Sequence, residues 1–100
     1  MTHDWSIHLA HAGRGTYDER LLEHLADALT PHAGITTGSP SVGASSWGAR
    51  ITVAAEDALQ AIAAASAIVE AAGRAVPLPP WPIVAIDLLR DDALSVYLNR

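Results

Sequence analysis

Large apolar and small or polar residues alternate over Trp5-Ser6-Ile7-His8-Leu9-Ala10, the period of a strand with one buried face, so the chain opens on a strand. His11-Ala12-Gly13-Arg14-Gly15 has the composition of a loop, and Thr16-Tyr17-Asp18-Glu19 matches a capping box with Thr16 as N-cap and Glu19 three residues on. A helix follows: Leu21, Leu22, Leu25, Ala28 and Leu29 recur at helical spacing, with Glu19, Glu23 and Asp27 on the wetter side. Pro31 and Gly34, the latter free to take a left-handed turn, end it between Leu29 and His32.

Residues 35–46 are rich in Gly, Ser and Thr and contain Pro40, which predicts a weak strand at a sheet edge. After a turn near Ser45-Ser46-Trp47-Gly48, alternation returns over Ala49–Ala54, with Ile51 and Val53 sharing one face and Arg50 and Thr52 the other. An alanine-rich helix is predicted over 56–73, capped by Asp57 with Gln60, its stripe running through Leu59, Ile62, Ala65, Ile68 or Val69, and Ala72. Pro77, Pro79, Pro80 and Pro82 then surround Trp81 in a stiff connection before a last strand, Ile83–Leu89, and a short helix over 91–98 that places Leu94, Tyr97 and Leu98 on one side. The order β-α-β-β-α-β predicts an α+β domain of ferredoxin-like type, one domain over 1–100, with an antiparallel sheet in the order 4-1-3-2 and two helices on one face.

Composition narrows the function. One hundred residues leave room for one core, and half of them are hydrophobic. The net charge is −5, there is no lysine, and Arg14, Arg20, Arg50, Arg74, Arg90 and Arg100 are dispersed, so no phosphate-binding surface forms and direct nucleic-acid binding is not expected. The absence of cysteine removes disulfides and thiolate chemistry. The longest apolar stretch, residues 58–72, is mostly alanine broken by Gln60, Ser66 and Glu70, too weakly hydrophobic to span a bilayer. The N-terminus lacks the basic and apolar regions of a secretory signal, and a cytoplasmic location is expected. No lysine and twenty alanines suggest a GC-rich bacterial genome.

Four passages, Trp5-Ser6-Ile7-His8, Leu25-Ala26-Asp27-Ala28-Leu29, Arg50-Ile51-Thr52-Val53-Ala54-Ala55 and Val84-Ala85-Ile86-Asp87-Leu88-Leu89, together resemble the N-terminal domain of small actinobacterial proteins that carry a helix-turn-helix DNA-binding segment after it. The likeness covers nearly the whole chain and rests on pattern and composition, without a signature motif. It implies an accessory domain of a DNA-binding regulator. This chain departs from that pattern by stopping at Asn99-Arg100, so DNA binding is carried over to no residue here.

Candidate chemistry gathers in two places. The predicted topology brings the end of the first strand, the hairpin and the start of the last strand to one end of the sheet, placing His11, Arg14 and Tyr17 near Trp47 and Trp81. That group is either a ligand site or a hydrophobic plug under the proline-rich connection. The sheet face away from the helices carries His8, Ala10, Arg50, Thr52, Ala85 and Asp87, a mixed surface on which two copies would associate as a homodimer. The five histidines, His3, His8, His11, His24 and His32, lack converging spacing, so no metal is expected. Gly13-Arg14-Gly15 lacks the third glycine of a dinucleotide fingerprint and the Gly-Lys-Ser/Thr of a P-loop. No serine stands in a nucleophile elbow. These readings favour a non-enzymatic, self-associating regulatory domain without cofactor. The alternatives are a small dimeric α+β barrel-type enzyme or a small-molecule sensor using the loop between the first strand and the first helix.

Overall fold

The computed structural model describes residues 2–39, 44–76, 78–79 and 81–90. The helix expected over 91–98 therefore lies outside the described residues. The elements are β1 (His3–Arg14), α1 (Arg20–Leu29), a 3-10 turn (Thr30–His32), β2 (Ile35–Ser39), β3 (Ala44–Ala55), α2 (Ala58–Ala75) and β4 (Ile83–Arg90). They form one antiparallel four-stranded sheet in the order β2-β3-β1-β4, which from the opposite edge is 4-1-3-2. The inward positions Trp5, Ile7 and Leu9 of β1 and Ile51 and Val53 of β3 join Leu25 and Leu29 of α1 and Ala61, Ala65 and Val69 of α2 in a single core.

The strands run further than local composition suggests. His11, Ala12 and Gly13 belong to β1 and pair with Trp47, Ser46 and Ser45 of β3, so of the loop expected over 11–15 only Gly15 lies outside the strand, and the turn expected at 45–48 is strand. Cross-strand pairing explains the difference: His11 continues the inward alternation of Ile7 and Leu9, and an inward position opposite Trp47 outweighs the weak strand preference of the glycines beside it. Only at Gly15, with φ +117°, does the chain leave the sheet.

The capping box at Thr16 is not the start of α1. Asp18 takes that place two residues later, its side chain accepting from Arg20 N at 2.9 Å and its carbonyl from Leu21 N at 2.9 Å. The guanidinium of Arg20 returns to the same carboxylate at 2.9 Å and holds its pKa below the usual range. The second cap forms as expected: Asp57 accepts from Gln60 N at 2.9 Å, and Gln60 Oε1 accepts from Glu56 N at 3.2 Å. With that start, the buried line of α2 is Ala61, Ala65 and Val69, while Leu59 is 80% exposed. Ala28, placed in the apolar stripe of α1 by spacing, is also exposed.

The end of α1 assigns the left-handed conformation to Ala33, with φ 54°, and not to Gly34. Ala33 N donates to Thr30 O at 3.1 Å and Gly34 N to Leu29 O at 3.0 Å, the bond pair of a Schellman closure with Ala33 at the strained position. Ala33→Gly removes the Cβ from that position. It is expected to stabilise the domain by about 1 kcal/mol, read as a higher midpoint in urea with an unchanged slope.

Candidate functional site

At one end of the sheet β1 supplies His11, β3 supplies Trp47, and β4 begins at Ile83, opposite His11. A register shift between Ala10 and His11 gives β4 one more residue than β1 there. His11 and Trp47, directly opposite one another, stack with ring centroids 3.9 Å apart and planes within 7°. The Trp47 indole N–H donates to Pro79 O at 3.1 Å, tying the stack to the proline-rich connection. Trp81, in that connection, packs over Gly13 and meets Tyr17 edge-on at 5.8 Å, and the Tyr17 hydroxyl donates to Ser46 O.

Beside these rings lies a cavity of about 630 Å³. Leu9, His11 and Trp47 of the sheet form one side, and Ser66, Val69, Glu70, Gly73 and Arg74 of α2 the other. Val76, Leu78, Pro79, Trp81 and Pro82 of the connection and Ile83 of β4 complete it. The cavity thus lies between α2 and the start of β4.

Of the five residues expected at this end, the structure brings His11, Trp47 and Trp81 to the cavity. Arg14 and Tyr17 are not among its lining residues: Arg14 is exposed at the end of β1, and Tyr17 lies at Trp81 and Ser46. The reason is the extension of β1, which carries Arg14 three residues beyond His11 along the strand. The charged groups at the cavity are instead Glu70 and Arg74 of α2, paired at 3.0 Å across one helical turn. Sequence reasoning missed them because Glu70 and Arg74 have the spacing of an ordinary exposed helix pair.

His11 is 8% exposed, and among the described residues its Nδ1 has no hydrogen-bond partner. Burial lowers its pKa below the ordinary 6.5. As pH falls through 6.5 the unfolded chain therefore takes up the proton before the folded one, and stability declines below that point. The free energy of unfolding is expected to fall more steeply between pH 7 and pH 5 in the wild type than in His11→Phe, as urea titrations at each pH will show.

The second candidate is the sheet face away from α1 and α2, which no described element covers. The register places Ser6, His8 and Ala10 of β1 beside Gly48, Arg50 and Thr52 of β3 and beside Ala85, Asp87 and Leu89 of β4. All six residues expected on this face, His8, Ala10, Arg50, Thr52, Ala85 and Asp87, lie there. Gly48 has no side chain, so the His8 ring crosses β3 and its Nε2 comes within 3.1 Å of Thr37 Oγ1. His8 Nδ1 lies 3.9 Å from Asp87 Oδ2, and Arg50 donates to Ser6 Oγ at 3.0 Å. Thr37, His8 and Asp87 have the order of a hydroxyl, a base and a carboxylate, but the last gap exceeds a hydrogen bond. The ladder engages the neighbouring backbone N–H groups that an oxyanion would need. The strip is a polar surface on a flat face.

No protein-family model matches the chain, and neither a curated protein nor a solved structure matches it significantly. Among the described residues no group of three or more His, Asp or Glu is placed to hold a metal, and no helix is long and apolar enough to cross a membrane.

Proposed function

We propose that the chain is a non-enzymatic interaction domain of regulatory type that self-associates through β4. One observation carries this reading: β4 is an edge strand with apolar residues exposed on both of its faces, Val84 at 60%, Ile86 at 42%, Ile83 at 41% and Leu89 at 37%. An edge of this kind offers unpaired N–H and C=O groups together with apolar surface, and pairing with a second copy satisfies both. In such a homodimer two β4 strands join the sheets edge to edge. Ala85 and Asp87 flank the seam, Ala10 and His8 stand one strand further in, and Arg50 and Thr52 remain a polar surface.

The element order and the strand order support the ferredoxin-like reading of the fold. The resemblance to accessory domains of helix-turn-helix regulators supports a role in bringing two copies together, and the dispersed arginines and the net charge of −5 support a segment that does not itself bind DNA. A location in the cytoplasm belongs to the same reading.

Sedimentation velocity from micromolar to near-millimolar concentration is expected to show a dimer. Ile86→Lys is expected to leave a folded monomer by circular dichroism, while Leu59→Lys, at a more exposed apolar residue on α2, leaves the dimer intact. A wild-type monomer throughout, or an Ile86→Lys dimer, rejects the reading.

A further inference from the structure

We infer that the cavity between α2 and the β4 end of the sheet is a binding site for a small, neutral, planar aromatic molecule. The volume of about 630 Å³ lies within the range of sites that enclose a small organic ligand. Two of the chain's five Phe, Trp and Tyr residues, Trp47 and Trp81, line it together with the His11 ring. Aromatic walls favour a ring that stacks or meets them edge-on.

Neutrality follows from the charges present. Glu70 and Arg74 neutralise one another at 3.0 Å, so the site has no uncompensated charge to select an anion or a cation. The inference concerns the interior of one chain and does not depend on the β4 pairing proposed above.

Gly73 provides the means of testing it. It lines the cavity, and a Cβ built on it meets nothing within 4 Å, so a side chain there enters open space. Replacing a helical glycine also favours the helix, which protects the fold of Gly73→Phe. Indole, the probe, is titrated into 15N-labelled protein and followed by the side-chain N–H signals of Trp47 and Trp81. Saturable shifts are expected with a dissociation constant of about 0.1–1 mM, the range for a ligand of this size. Gly73→Phe should weaken binding at least about tenfold by occupying the space. Absence of saturable shifts up to the solubility of indole overturns the inference, as does unchanged affinity in Gly73→Phe or shifts confined to β4 residues such as Leu89.

Discussion

Trp47→Ala will lower the stability of the domain by about 3–5 kcal/mol, the range for removing a buried indole from a core. Trp47 is 5% exposed, stacks on His11 at 3.9 Å and donates to Pro79 O at 3.1 Å. Its removal takes away an almost wholly buried indole, enlarges the neighbouring cavity and strips His11 of its stacking partner. Since small domains are stable by only about 5–15 kcal/mol in total, the variant should unfold at markedly lower urea concentration. Trp81→Ala should cost less, because Trp81 is only half-buried, although both indoles line the cavity. Arg14→Ala, at an exposed strand end, should stay within about 0.5 kcal/mol of the wild type. A Trp47→Ala loss no larger than that of Arg14→Ala would contradict the packing described here.

Gly34→Ala will destabilise by about 1–3 kcal/mol as an overpacking change, although its backbone φ is one that alanine accepts elsewhere. A Cβ at Gly34 would stand against the Leu29 Cβ and 2.8 Å from the Leu29 carbonyl oxygen, the atom that receives the Gly34 N–H. Leu29 is fully buried, so neither partner can yield without shifting the end of α1. The neighbouring substitution has the opposite sign: at Ala33 glycine stabilises, at Gly34 alanine destabilises. Urea unfolding of both single variants tests the assignment, which fails if Gly34→Ala is neutral.

The two positions also show how much the sequence discloses. That α1 stops near Pro31 and Gly34 is legible from residue type, because proline restricts the residue before it and glycine is common past a helix end. Which of Ala33 and Gly34 turns left-handed is not, since it depends on the pair of bonds back to Leu29 and Thr30 and on the room left beside Leu29. The candidate site divides in the same way. His11, Trp47 and Trp81 could be placed together from strand order alone, because pairing of the first strand with the third and fourth fixes which ends meet. Glu70, Gly73 and Arg74 could not, because their position at the cavity follows from the rotation of α2.

The sequence by itself determined the number, type and order of the elements over residues 5–89, through alternation at period 2, stripes at helical spacing and the Asp57–Gln60 cap. It also determined which residues share the sheet face away from α1 and α2, since residues two apart on paired strands share a side whatever lies beyond them. Only the tertiary structure decided how far the strands run, which side of α2 is buried and where space remains. Strand ends follow partners across the sheet, so Gly13 and Ser45 pair despite loop-like composition. Around α2 the apolar residues leave no preferred side, and the close approach of helix to sheet selects the small Ala61 and Ala65 over the larger Leu59. The cavity between α2 and the start of β4 and the exposed apolar residues of β4 are likewise features of the assembled fold alone.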